Sequence, residues 1–352
     1  LVPDTEGIES PLYENVSLEG SQTLRILDVN GEWALCAVED WYRDTAGQVR
    51  EQGFQYLTRE LLIISYESGS IAVRFPWEGN RYCADGVLLQ DHAVIYAAVD
   101  LDGGSPEPYQ LTLQTGADNS IPLSLSGTCI AWDGLELARL SGREAVCSYW
   151  DRSKGVYGLS KVDLDGGIEP LLSNPITEAD SFTATRLSHN GGNYLYLIEA
   201  SAKETFVLGN TEGVQAQFDL PEHERLYDFC LCADGILCSS STTDQDGRKS
   251  TDLIWRNLAG EELERSPKDP LQQMQAVGSC AFAQNPSGKI YAIAAGPGGI
   301  AAFFDSVELA TAKNSAVSFF DTGLDTLLVH MQGPVPAVYV YGFQIQSIER
   351  AH

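Results

Sequence analysis

Three stretches of this chain place an acid and an arginine within a few residues of each other, and two of them add an aromatic ring. They are Glu39-Asp40-Trp41-Tyr42-Arg43-Asp44, Tyr149-Trp150-Asp151-Arg152-Ser153-Lys154 and Thr243-Asp244-Gln245-Asp246-Gly247-Arg248-Lys249. A ring face beside a guanidinium and a carboxylate suits stacking combined with bidentate hydrogen bonding, the chemistry that holds a sugar or the end of a peptide. The candidate ligand-binding residues are therefore Trp41, Tyr42, Arg43, Trp150, Asp151, Arg152, Asp246 and Arg248. The plainer account is that hairpin tips are polar by default and that the tryptophans pack over a neighbouring element. The first stretch runs on through Thr45 to Phe54, long enough to flank a central site.

Catalytic patterns are sparse. The chain has no Gly-x-Ser-x-Gly elbow for a nucleophile, no His-Glu-x-x-His for zinc and no phosphate-cradling P-loop. Its five histidines, His92, His189, His223, His330 and His352, do not recur with any period, and none sits beside a candidate nucleophile. Asp244-x-Asp246-Gly247 followed by Asp252 has the opening of a calcium loop but lacks the remaining acids and the terminal Glu. Asp163-x-Asp165-Gly166 is better explained as turn chemistry. No catalytic residue, metal ligand or cofactor is assigned. A carboxylate pair for glycoside cleavage cannot be located by spacing among 49 Asp and Glu residues.

The elements that position these stretches repeat. Apolar segments following polar turns occur at Trp33–Val38, Ala93–Ala98, Ala145–Trp150, Tyr194–Ile198, Gly235–Ser240, Lys289–Ala294 and Thr326–His330. A second segment follows each, at Tyr56–Ser65, Pro108–Gln114, Val156–Val162, Thr205–Gly209, Asp252–Asn257, Ile300–Phe304 and Ala337–Phe343. Inner strands are expected before each pair, that of the sixth repeat at Ser279–Ala283. Outer strands are expected at Ile71–Phe75, Ile121–Leu125, Ile168–Leu172 and Gln215–Leu220, with none clear in the sixth repeat. Self-similarity at roughly 40–50 residues, built of short β-rich runs, is the signature of a blade array. The fold class is all-β: a β-propeller of seven four-stranded blades, with six or eight blades fitting the same spacing. Residues 1–20 are expected to form an N-terminal tether, with Leu12–Ser17 able to add a ring-closing edge strand, and residues 21–352 a single propeller domain.

Two hairpins carry a family resemblance. Ile95-Tyr96-Ala97-Ala98-Val99-Asp100-Leu101-Asp102-Gly103-Gly104 resembles the strand-and-turn signature of TolB-like bacterial propeller repeats. So does Tyr157-Gly158-Leu159-Ser160-Lys161-Val162-Asp163-Leu164-Asp165-Gly166-Gly167, followed by Pro170-Leu171-Leu172-Ser173. The resemblance covers about two blades and specifies architecture; it implies an exported or periplasmic protein that acts by binding.

Charge narrows the partners. With 22 Lys and Arg against 49 Asp and Glu, the formal net charge is −27, which argues against nucleic acid and against an anionic membrane surface. No apolar stretch approaches the ~18 residues of a membrane span. The chain begins at Leu1 and has two methionines, which fits removal of an upstream leader that anchored or exported it. Of eight cysteines, Cys36, Cys147 and Cys238 fall at equivalent places in three repeats, too far apart for bridges, so they are expected to be buried thiols. The sequence reading is an exported, monomeric, non-catalytic propeller that binds a protein, peptide or glycan through loops on one face. The alternatives are a glycan-processing hydrolase or lyase with acids at the central channel, and a rigid spacer of a surface assembly.

Overall fold

The computed structural model describes residues 2–3, 7–42, 55–102, 109–116, 119–123, 135–151, 155–175, 182–200, 203–243, 246–296, 299–305, 316–323, 326–332 and 336–344. Seven antiparallel sheets follow one another along the chain. Blade 1 is Thr23–Asn30, Trp33–Trp41, Tyr56–Ser65 and Ile71–Pro76. Blade 2 begins at Arg81–Leu88, blade 3 at Leu137–Arg139, blade 4 at Phe182–Asn190 and blade 5 at Glu224–Cys232. Blade 6 begins at Gln272–Val277 and blade 7 at Ala316–Asp321. The first strand of each blade contacts the first strand of the next, and that of blade 7 contacts blade 1, which closes the ring. The chain is a seven-bladed β-propeller. Among the described residues no helix is long and apolar enough to cross a membrane.

The second strands are apolar throughout because each blade is covered on both faces. In Trp33–Trp41, Ala34, Cys36 and Val38 pack toward blade 7, while Leu35 and Ala37 pack toward blade 2. The core is thus seven apolar clusters, each between two adjacent blades. Cys36, Cys147 and Cys238 each face the preceding blade, as equivalent positions must. The seven described cysteines are buried, and burial pushes the Cys238 thiol up to about 12.

Two expectations are corrected. In blade 6, Cys280–Gln284 is the second strand, Ile290–Gly296 the third and Gly299–Asp305 the outer one. The sequence pattern is displaced by one strand because the inner strand, Gln272–Val277, is rich in glutamine. It also breaks register between Gln272 and Gln275, with Gln273 at φ 54°. Ring closure is made by Val2–Pro3 and Ile8–Glu9, which pair with Ala337–Gln344, rather than by Leu12–Ser17. Pro11–Tyr13 is a 3-10 turn that Ser10 caps at the Leu12 N–H, and Leu12 is fully buried between blades 7 and 1. Tyr13 Oη lies 2.7 Å from Nε2 of the buried His330, fastening this segment to blade 7.

A recurring carboxylate joins the inner strands. The register of the first strand shifts just before Asp28, Asp85 and Asp228. Such a bulge re-aims a side chain, and each of these carboxylates takes two backbone N–H groups. Asp28 accepts from Val29 and from Leu88 of blade 2, both at 2.8 Å. Asp85 accepts from Gly86 at 2.9 Å and from Leu137 of blade 3 at 2.7 Å. Asp228 accepts from Phe229 at 2.8 Å and from Met274 of blade 6 at 3.0 Å. Between blades 4 and 5 the acceptor is Ser188 Oγ, 3.0 Å from the Leu231 N–H. Asn30 and Asn190 donate to the carbonyls of the same receiving residues, Leu88 and Leu231.

Removing a buried acceptor strands its donors, and hydrogen bonds to a charged partner contribute about 1.5–3 kcal/mol. Asp28→Ala is therefore expected to lower unfolding free energy by about 3 kcal/mol, measured from the urea midpoint. Asp165→Ala, on an exposed turn, is expected to stay within about 0.5 kcal/mol.

Candidate functional site

The three stretches singled out by composition all follow second strands and lead into third strands, so they leave the ring on one rim. Trp41 ends the second strand of blade 1 opposite Tyr56, and the two rings stack at 4.6 Å between centroids. Tyr42 is buried with Leu57, Val99 and Leu101 between blades 1 and 2. Arg43 and Arg152 lie outside the described residues. Trp150 and Asp151 end the second strand of blade 3, their backbones paired with Tyr157 and Val156; their side chains lie outside the described residues. Asp246 and Arg248 are exposed in the hairpin between Thr243 and Lys249 of blade 5.

Turn chemistry accounts for one acidic motif and ion pairing for the other. Asp163 Oδ1 takes the N–H groups of Asp165 and Gly167. Asp252 binds Arg265 at 3.0 Å and accepts from Thr242 and Ser250. Among the described residues no group of three metal-ligating side chains comes together.

A cavity of about 450 Å³ opens on the same rim where blades 7, 1 and 2 meet. Tyr13, Tyr56, Tyr82, Gln22, Gln332 and Glu39 contribute to its walls. Each comes from a strand end on that rim or from the N-terminal segment beside it, which is why no contiguous motif announced it. At its floor Arg25 donates to Glu39 Oε1 at 2.9 Å, to Cys83 O at 2.6 Å and to Ala84 O at 3.2 Å. Its guanidinium also sits 5.6 Å from the Tyr82 centroid. Burial alone would disfavour the charge on Arg25, but Glu39 beside it raises its pKa overall. Burial raises the pKa of the Tyr13 and Tyr82 phenols, which therefore meet a ligand as neutral hydroxyls.

The Arg25–Glu39 pair has a counterpart in blade 4, where Arg186 binds Glu199 at 3.1 Å and donates to Tyr227 O of blade 5. The sequence signal for the floor was present: Arg25-x-x-Asp28, Tyr82-x-x-Asp85 and Arg225-x-x-Asp228 share one spacing. At the channel, burial pushes the Glu136 carboxyl up to about 8, with Asp85 adding to the rise, and Glu136 Oε2 has no hydrogen-bond partner. Burial likewise pushes Asp85 up to about 6.

No protein-family model matches the chain, and no curated protein matches it in sequence. Solved structures do match in fold. A prolyl endopeptidase superposes with a TM-score of 0.56 at 14% identity, covering 91% of this chain and 46% of that one. The chain thus spans about half the length of that enzyme. Hsv2 from Kluyvelomyces marxianus gives 0.52 at 9% identity, covering 88% and 90%. The Dos1 propeller gives 0.50 at 13% identity, covering 93% and 82%. At these identities the likeness establishes the propeller and nothing about a ligand.

Glu136 yields a pH dependence. Its folded pKa of about 8 exceeds the ordinary 4.5, so its contribution to stability is complete below the unfolded value and is lost as pH rises toward 8. The slope is at most about 1.4 kcal/mol per pH unit. Urea unfolding between pH 6 and 8 is expected to show falling stability in the native chain and a flatter profile in Glu136→Gln.

Proposed function

We propose that this chain is a non-catalytic binding propeller whose ligand, a protein, peptide or glycan, docks on the rim carrying the second-to-third-strand hairpins. The observation that carries the reading is the cavity between blades 7, 1 and 2. It opens on that rim, beside the Trp41–Tyr56 stack at the base of the longest hairpin. Four of the acids that a channel-centred glycan-processing mechanism would draw on are held in structural contacts, which supports the same reading, while Glu136 keeps one oxygen unpartnered. Asp28, Asp85 and Asp228 are engaged by backbone N–H groups that join the blades, and Glu224 is buried against Arg256 at 2.7 Å. A ring that closes on its own first residues needs no second copy, in keeping with a monomer. The TolB-like hairpin turns favour an exported location, and a net charge of −27 favours partners other than nucleic acid.

The reading is tested with arrayed peptides and glycans. Ligands captured by the native chain are expected to be lost on combining Trp41→Ala, Asp246→Ala and Arg248→Ala. They are expected to be kept on combining Glu32→Ala, Glu212→Ala and Asp234→Ala, on the opposite rim. Loss confined to the second set would overturn the assignment of the rim.

A further inference from the structure

We infer that the cavity between blades 7, 1 and 2 is a receptor for a basic side chain, arginine or lysine, carried on an extended polypeptide segment of a partner protein. This rests on the rim reading above and specifies its ligand. The volume of about 450 Å³ lies within the ~300–1,000 Å³ common to ligand pockets. Three tyrosines, Tyr13, Tyr56 and Tyr82, contribute to the wall, and the faces of such rings attract cations.

The charges decide the sign of the ligand. Among the described lining residues Arg25 is the one cation, and its Nε, Nη1 and Nη2 are engaged by Glu39, Ala84 O and Cys83 O. Glu39 neutralises its charge and these contacts take most of its five N–H groups, so it offers little to a phosphate or a carboxylate. Both of its contacts to Glu39 fall on Oε1, and Oε2 accepts from no residue among those described. Asp40, next in sequence but not among the described lining residues, accepts from Ser21 and from the Trp41 N–H, with Arg59 at the outer distance of 3.9 Å. Around this local acid stands a molecule of net charge −27, whose field concentrates cations at clefts of its own sign.

The neutral groups suit a peptide main chain. Gln22 accepts the Glu19 N–H through Oε1, which leaves its amide N–H₂ to donate. Gln332 lines the cavity from the end of the second strand of blade 7. These are the amide donors and acceptors an extended segment requires on either side of an inserted side chain.

The test uses end-capped fluorescent peptides of three arginines or three lysines, the uncharged citrulline and norleucine counterparts, and a chitotriose probe. Fluorescence anisotropy at about 20 mM and 150 mM salt reads the electrostatic share, since screening strengthens over that range. The native chain is expected to bind the arginine or lysine peptide at least tenfold more tightly than its uncharged counterpart. Gln332→Arg, which sets a cation in the wall, is expected to weaken that binding at least tenfold. Gln215→Arg, on the exposed outer strand of blade 4, adds the same charge elsewhere and is expected to leave it within twofold. Equal binding of charged and uncharged peptides, equal effects of the two arginine variants, or no peptide binding would each overturn the inference. Chitotriose binding that Gln332→Arg abolishes would also overturn it, while leaving the rim as the docking face. Absence of any ligand on the rim in the array experiment is the separate outcome that removes the rim reading itself.

Discussion

Everything in this ring rests on how the innermost strands are held to one another. An inner strand has a ladder partner on one side only, and the groups on its other edge face the channel, where an unsatisfied buried N–H is costly. Apolar packing between blade faces is non-directional and leaves the relative height of two blades loosely fixed. The acceptors at Asp28, Asp85, Ser188 and Asp228 supply the missing direction, because each reaches one particular backbone group of the next blade. Carboxylates suit the task since one group accepts two donors, one on its own strand and one across the gap. Burial disfavours their charge, seen in the raised pKa of Asp85 and Asp228, and the N–H groups offset that cost.

The parts of the fold that the sequence displays are those with strong periodicity. Second strands are buried on both faces, so they appear as unbroken apolar runs such as Ala34 to Val38. Outer strands alternate, and Gly213–Asp219 does so visibly. The inner strand of blade 6 hides because its glutamines break the alternation and its bulge breaks the register. Closure hides for a different reason: two ladders of two residues each leave no pattern in the sequence. The candidate site was half legible. The hairpins stood out by composition, whereas the cavity draws its walls from the N-terminal segment and blades 7, 1 and 2. Tyr42, which composition grouped with the exposed tips, instead fills the gap between blades 1 and 2.

Comparison of the two arginine–glutamate pairs shows what makes one of them part of a cavity. Arg25 with Glu39 and Arg186 with Glu199 both reach from an inner strand to carbonyls of the next blade, and both guanidiniums approach an aromatic ring. Duplication of a blade is enough to explain that likeness. The difference is the segment carrying Tyr13, Leu18 and Gln22, which lies over the first pair and walls off the space beside it. Shape was thus added to an inherited pair by an element outside the repeat.

That same segment fixes an order of events. Tyr13 and His330 are 317 positions apart, so a ribosome must have made blade 7 before the segment around Tyr13 meets its partner. Until then blade 7 lacks its outer strand and the cavity lacks a wall, however well blades 1 to 6 have packed. Contacts of such long range are slow to form, and the opening residues spend synthesis as an unpaired β edge. The competence of the rim is therefore set by the arrival of blade 7 rather than by the folding of blades 1 and 2 alone.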